Sequence, residues 1–117
     1  IQIDQDTRTL EEDAWYKWGF VLDQESQLEL DATVRSGPAI DLIMTSQSEF
    51  EEFEQGNRFE YNQSLSLLDT VGGNASGTLP QGQWALIADN TEAGEAQPPT
   101  NLDDDIAEVE VTLISET

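Results

Sequence analysis

The 117-residue sequence contains no cysteine and no histidine. It therefore offers no disulfide, no thiolate nucleophile, no imidazole base and no imidazole metal ligand. Basic residues are almost as scarce, because only Lys17 and three arginines oppose 25 acidic residues, which leaves a net charge of −21. A chain this negative repels phosphate groups, so nucleic-acid binding and docking on anionic lipid are poor functional hypotheses.

Long apolar runs are also missing. No segment approaches the roughly 18 apolar residues of a membrane span, and we expect no span in this chain. The sequence begins at Ile1 with neither a methionine nor a signal peptide. We interpret it as a mature portion or a piece of a longer protein whose targeting signal is not included.

The acidic residues are spread along the whole chain rather than gathered in one tail. Their mutual repulsion should destabilise a compact state in dilute buffer. Because the Debye length falls to about 3 Å at 1 M salt, molar salt would remove most of that repulsion. This bias is typical of proteins from extreme halophiles, and an ordinary acidic secreted domain is the alternative.

Apolar residues are nevertheless sufficient for one core, at 37% of the sequence with three Trp, four Phe and two Tyr. The length suits one domain and is too short for two. We expect residues 1–13 to form a polar lead-in or an edge strand, and residues 14–117 to form a single β-sandwich domain.

Alternation of apolar and polar residues predicts the strands. It is cleanest over residues 27–35, where Leu28, Leu30, Ala32 and Val34 share one face. Further strands are predicted over residues 14–22, 40–44, 58–61, 64–68, 75–79, 83–88 and 106–114.

Phe50 and Phe53, three residues apart after Ser46, predict a short helix over residues 46–55 that ends at Gly56. Residues 72–74 are predicted as a turn, and residues 89–105 as a long acidic loop. About eight short strands with one helix indicate an all-β, antiparallel, jelly-roll-like β-sandwich.

Two short motifs suggest relatives. Ser36, Gly37 and Asp41 open one motif, and Gly82, Trp84 and Asn90 lie in "LPQGQWALIADN". Their order resembles the GOLD-type β-sandwich of the p24 cargo-receptor family, with Trp84 in a tyrosine position. The second motif is also similar to secreted pre-peptidase C-terminal domains of bacteria and archaea.

The acidic segments resemble those of secreted proteins of haloarchaea. Over residues 14–114, these resemblances imply a non-catalytic sandwich of an extracellular protein that mediates binding or folding. The chain departs from the p24 pattern, since it lacks the cysteine pair, the coiled coil and the membrane span. A trafficking role is therefore not implied.

The acidic loop is a candidate metal site. Oxygen ligands clustered in one loop suit Ca²⁺, which takes 6–8 of them, although no EF-hand spacing is present. A solvated loop in a uniformly acidic protein is the alternative. The candidate ligands are Asp89, Asn90, Glu92, Glu95, Asn101, Asp103, Asp104 and Asp105.

Trp15 is a candidate binding residue. Trp15 and Trp18 lie three apart, so they face opposite sides of a strand. Trp18 is expected in the core, while Trp15 lies on the face of Lys17 and Val21. An exposed Trp15 could stack on a sugar ring or anchor a protein contact; a Trp15 covered by the N-terminal segment is the alternative.

No pair of carboxylates stands out as a glycosidase pair, and we predict no enzymatic activity. The leading interpretation is an extracytoplasmic, non-catalytic module of a halophile that binds a partner protein or an envelope component. One alternative is a Ca²⁺-stabilised carbohydrate-binding module. The other is a self-associating structural subunit of a cell surface.

Overall fold

The computed structural model describes residues 2–91 and 106–116. These residues form eight strands and one helix. In chain order they are β1 (Gln2–Leu10), β2 (Trp15–Leu22), β3 (Ser26–Ser36), β4 (Ile40–Ser46), α1 (Gln47–Glu54), β5 (Asn62–Thr70), β6 (Gly72–Leu79), β7 (Gly82–Asp89) and β8 (Ala107–Ser115).

The strands form two antiparallel sheets. Sheet A has the order β1-β8-β3-β6, and sheet B has the order β2-β7-β4-β5. This is the arrangement produced when a long hairpin, with β1 to β4 running against β5 to β8, rolls into two facing sheets as a jelly roll. The predicted all-β antiparallel sandwich with one short helix is confirmed.

The main core lies between the two sheets. Alternate residues of β3 enter it, including Leu28 and Leu30, and they meet Leu42 and Met44 of β4. Trp18 is also buried there, and its indole N–H donates to the Asp6 carboxylate of β1 at 2.8 Å. The alternation of apolar residues therefore identifies the core-facing side of these strands correctly.

A second, smaller core covers the outer face of sheet B. Ile43, Ala85 and Ile87 project from that face and are buried beneath Phe50 and Phe53 of α1. Consequently β4 is buried on both sides, with Ile40, Leu42 and Met44 toward the sandwich and Ile43 toward the helix.

Helix α1 begins and ends as the sequence predicts. The Ser46 hydroxyl caps its first turn by accepting the Glu49 N–H at 3.3 Å. Gly56 follows with φ 76°, the left-handed conformation common after a helix C-terminus. Within the described ranges, no helix is long and apolar enough to cross a bilayer.

Two local predictions are wrong. Residues 58–61 form no strand; Phe59 and Tyr61 instead pack against the smaller core, so side-chain burial replaces ladder pairing. Residues 72–74 are not a turn, because Gly72 and Gly73 pair with Thr33 and Ala32 at the start of β6. A Cβ on Gly72 would lie 2.9 Å from the Ala32 carbonyl oxygen, so the glycine serves close strand approach.

The corner between β3 and β4 is fitted tightly against the start of β8. Gly37 has φ 94°, and a Cβ there would lie 2.7 Å from the Ala107 Cα. Both the backbone conformation and the space therefore require glycine at this corner.

Candidate functional site

The aromatic cluster under α1 fixes Trp15 in place. The Trp15 ring lies edge-on to Phe50 at 5.4 Å and to Phe53 at 5.6 Å between centroids. It remains 37% exposed. Trp15 shares its face with Lys17 as expected, but the element that covers it is α1 and not the N-terminal segment.

Lys17 is held by the same cluster, since its ammonium lies 4.5 Å from the centroid of the Phe50 ring. This cation–π contact places the one lysine of the chain on the aromatic cluster. The Trp15 end of sheet B is therefore a packed surface with one exposed indole edge.

A cavity of about 240 Å³ opens at the opposite end of sheet B. It lies where β4 runs into α1, beside the start of β5 and β7. We call it the corner cavity. Its lining residues are Thr45, Ser46, Glu49, Glu60, Tyr61, Asn62 and Trp84.

Thr45 gives the corner cavity a buried hydroxyl group. The residue is fully buried, and its Oγ1 has no hydrogen-bond partner. A buried hydroxyl that lacks a partner is costly, since the free energy of its lost hydration is not recovered. Because Thr45 has no accessible surface, this hydroxyl lies behind the cavity wall and not at its surface.

Two carboxylates stand at the mouth of the corner cavity. Glu49 comes from the first turn of α1, and its Oε2 accepts the backbone N–H of Glu60 at 3.2 Å. This bond fastens the chain after the helix to the helix itself. It places the Glu49 carboxylate beside the backbone of Glu60.

A second groove of about 470 Å³ adjoins the corner cavity and shares both glutamates. Arg58 and Phe59 complete its lining. Among the described residues, the salt bridges are Arg8–Asp6 and Arg35–Glu110, so Arg58 pairs with neither glutamate at 4 Å or less.

Aromatic and amide groups form the remaining walls. Trp84 is half-buried, packs against the main core and donates its indole N–H to the Pro80 carbonyl at 3.0 Å. Tyr61 packs against the smaller core. The Asn62 side-chain oxygen accepts the Leu65 N–H at 3.0 Å. These bonds hold the cavity walls in fixed positions.

A buried carboxylate pair lies at the other end of sheet B. Asp41 of β4 and Asp89 of β7 are register partners, and both are buried. Asp41 Oδ1 accepts the N–H of Asp69 at 2.8 Å. Asp69 has φ 50°, so this carboxylate holds an unusual backbone conformation in place.

Asp89 is the less favourably placed member of this pair. Burial raises the pKa of the Asp89 carboxyl above its ordinary value, and the nearby Asp41 charge raises it further, while the N–H of Thr91 partly offsets the rise. Asp89 Oδ2 is buried without a hydrogen-bond partner. Burial and the neighbouring negative charge therefore both disfavour the ionised form, relative to an aspartate in water.

The Ca²⁺ prediction falls mostly outside the described residues. Asp89 and Asn90 are described, whereas the other predicted ligands lie in residues 92–105. The Asn90 amide donates to the carbonyl of Glu11 at 3.1 Å and so ties β7 to the turn after β1. Within residues 2–91 and 106–116, no three acidic side chains converge as metal ligands.

Sequence reasoning did not find the corner cavity. Its residues come from β4, α1, β7 and the segment before β5, which are adjacent only in the folded sheet. One local signal exists: the Ser-x-x-Glu start of α1 and the Phe-Glu-Tyr sequence after Gly56 flank one short helix. No sequence spacing connects Trp84 to them.

Comparison with known proteins supports the fold alone. No protein-family model matches the chain, and no curated protein sequence matches it. A crystal structure of the pre-peptidase C-terminal domain of collagenase from Bacillus anthracis is similar, with a TM-score of 0.53 and 10% identity. The match covers 91% of this chain and 87% of that domain.

This similarity agrees with the β-sandwich relationship expected from "LPQGQWALIADN". Nothing in it extends to a GOLD-like relationship or to a haloarchaeal source. At 10% identity it carries the architecture and no residue roles.

Proposed function

We propose that this domain is a non-catalytic β-sandwich module that works outside the cytoplasm and binds a partner protein or an envelope component through the corner cavity. The observation that carries the proposal is the corner cavity itself, in which the aromatic side chains of Tyr61 and Trp84 line one concave space together with glutamate and amide side chains. Concave sites with a few convergent polar groups are where proteins commonly bind ligands.

The chemistry of the available groups supports a binding role over catalysis. The sequence supplies no histidine and no cysteine. Asp89, the described carboxyl with a raised pKa, is 1% exposed and so cannot reach a substrate. A general acid must lie within hydrogen-bond reach of the reacting group, and a buried side chain of the sheet does not.

A carbohydrate ligand is the second candidate. Tyr61 and Trp84 line the corner cavity beside carboxylate and amide groups. Aromatic rings combined with hydrogen-bonding side chains can hold a sugar ring. In this version, Ca²⁺ at residues 89–105 would stabilise the module, as the sequence predicts.

An extracellular environment of high salt is also part of the proposal. The similarity to a domain of a collagenase supports a place on an extracellular protein. The charge of −21 supports adaptation to high salt. Asp41 and Asp89 are the buried acidic residues of the described part, and the other described acids are at least partly accessible, where they can be hydrated and screened.

A ligand screen followed by NMR tests the binding role. Amino-acid amides, short peptides and monosaccharides are added to the labelled domain, and the amide shifts are mapped. We expect hits to move the signals of Thr45, Tyr61 and Trp84. Hits that instead move only β3 and β8, or an absence of hits in every class, would contradict the proposed function.

A thermal melt tests both the adaptation to high salt and the predicted Ca²⁺ site. The melting temperature is measured between about 0.1 M and about 1 M NaCl, with millimolar Ca²⁺ or with EDTA. We expect stability to rise with salt. A rise with Ca²⁺ at fixed salt supports a metal site at residues 89–105, and full stability at low salt contradicts the halophilic adaptation.

A further inference from the structure

We infer that the free edge of strand β2 binds an extended segment of a partner protein, which pairs with it as a fifth strand of sheet B and carries basic residues at both of its ends. No residue of β2 lines the corner cavity, so this surface goes beyond the proposed function.

Every second residue of β2 directs its backbone groups away from the sheet. The strand lies at the edge of sheet B and, within the described residues, pairs with β7 alone. Just before it, the Asn90 N–H donates to the Ala14 carbonyl at 3.0 Å. Bonded and non-bonded pairs alternate along an antiparallel ladder, so the even-numbered residues of β2 bond to β7. The N–H and C=O groups point outward at Trp15, Lys17, Gly19 and Val21.

These outward backbone groups are accessible. Val21 is 64% exposed, Trp15 is 37% exposed, and Gly19 between them is exposed as well. Gly19 also has no side chain that could shield its backbone. A row of unpaired N–H and C=O groups on an accessible edge is a template for one more strand.

The other three edges of the sandwich are less suited to strand addition. Strand β1 carries Asp6 and Arg8, and charged side chains oppose edge pairing. Strand β5 shifts its register twice against β4, so its edge is irregular. Strand β6 approaches β5 so closely that a Cβ on Gly77 would lie 3.0 Å from the Ser64 Cβ. Strand β2 is a regular edge of eight residues with one charge, Lys17.

The charges around β2 favour a basic partner over a second copy of this chain. The strand contains no acidic residue, although the chain contains 25. Exposed acids flank it, with Asp13 before the strand and Asp23 and Glu25 after it. A second copy pairing antiparallel with β2 would bring the two acidic flanks together at both ends, which like charges oppose. A segment with lysine or arginine at its ends would meet opposite charges there.

Hydrogen exchange with a designed peptide tests the inference. The probe is acetyl-Lys-Lys-Thr-Val-Thr-Val-Thr-Lys-Lys-amide, whose middle favours a strand and whose ends are basic. At saturating peptide, we expect the outward amides of β2 to exchange at least about tenfold more slowly. The amides of β2 that bond to β7 are the internal control and should change little. Binding that leaves the outward amides unchanged, or no binding at millimolar peptide, would overturn the inference.

Two control peptides separate charge from backbone pairing. The first carries glutamate in place of lysine and should bind at least about tenfold more weakly at about 0.1 M NaCl. The second keeps the lysines but is N-methylated at its five middle residues, so it lacks their N–H donors. It should also bind at least about tenfold more weakly. Equal affinity of either control and the probe would overturn the inference.

Variants of Val21 locate the pairing. Its N–H points away from β7, so a proline at this edge position removes an outward donor and no bond of the ladder. We expect Val21→Pro to lower the affinity for the probe about tenfold or more. Val21→Thr keeps the donor and should change the affinity by about twofold or less. Equal losses in both variants would overturn the inference, and exchange in the wild type decides the matter if Val21→Pro does not fold.

The same exchange data distinguish this inference from its rivals. Slow exchange at the outward amides of the domain alone, with dimers in sedimentation, would make a second copy the occupant and overturn the partner segment. Changes at Thr45 and Tyr61 without changes at the outward amides would overturn the inference and support the corner cavity. Changes confined to β2 support the inference, and the ligand screen then decides the proposed function separately.

Discussion

The outer faces of the two sheets lie in different surroundings, although side chains point alternately inward and outward along the strands of both. On sheet A, the outward residues of β3 include Asp31, Thr33 and Arg35, and all three are exposed. On sheet B, the outward residues Ile43 and Ile87 are buried beneath α1. One short helix therefore separates a face that meets water from a face that forms a second core.

The chemistry of the two faces differs accordingly. On sheet A, polar groups pair across strands, as Asn74 does with Glu29 at 2.8 Å and with Asp31 at 2.7 Å. On sheet B, side chains of α1 and of the segment after it line the corner cavity. The comparison teaches that the concave surface comes from the covering element, while the open face meets water.

The largest expected effect comes from removing the covering core. Phe50→Ala should lower the free energy of unfolding by about 3–4 kcal/mol, because it leaves a cavity beneath α1. The matched change Thr33→Ala on the exposed face of sheet A should alter it by about 0.5 kcal/mol or less. Urea unfolding of both variants checks this, and similar losses would contradict the difference between the faces.

Trp15 offers an intermediate test on the edge of the covered face. Trp15→Ala should cost about 2 kcal/mol, because the indole packs on Phe50 and Phe53 although it is partly exposed. Val21→Ala lies on the same strand and face, is 64% exposed, and should cost far less. Equal losses in urea unfolding would show that α1 does not hold Trp15.

Substitution of Asp89 should have the opposite effect on stability from the substitutions above, because it should stabilise the domain. Its pKa is raised in the fold, mainly by burial, so the folded state holds the proton more tightly than the unfolded chain does. Stability from this group is present below the ordinary pKa of aspartate and is lost as pH rises through the raised value. Asp89→Asn should therefore flatten this loss of stability as pH rises above the ordinary pKa of aspartate, and it should raise the melting temperature wherever the buried carboxyl is ionised. Melting temperatures of both proteins measured across pH check this.

The control for Asp89 lies on sheet A. Asp31→Asn makes the same chemical change at an exposed position, so comparing the melting temperatures of the two variants separates the effect of burial from that of the substitution. A loss of stability at neutral pH in Asp89→Asn would mean that the charged carboxylate is needed, as it would be by a bound cation.

The smallest effect is expected from an ion pair on the open face. Arg35 donates to Glu110 at 2.8 Å, and both side chains are accessible to solvent. Such pairs contribute little and are screened by salt. Arg35→Met should lower the melting temperature slightly at about 0.1 M NaCl and not at about 1 M. A large, salt-independent loss would show that this face is structural after all.

The sequence predicts the open face better than the covered one. Strand β3 alternates cleanly because one side meets water, and its inward residues are as expected. Strand β4 is buried on both faces, by the main core and by α1, so buried and exposed residues do not alternate along it. The Gly72-Gly73 pair wrongly predicts a turn, because glycine is favoured both in turns and where two strands approach closely.

The site is predicted less well than the fold. Trp15 is located on the correct face, but the element that covers it depends on how α1 folds back. The corner cavity and the Asp41–Asp89 pair each join residues from separate strands, and only the strand order brings them together. The chain order of the strands does not reveal which of them are neighbours.

The most direct test of the account is a crystal structure of the domain with a ligand found in the screen. The account predicts that this ligand lies in the corner cavity against Tyr61 and Trp84. A ligand bound instead to the exposed face of sheet A would contradict it, because the open face and not the covered face would then hold the ligand.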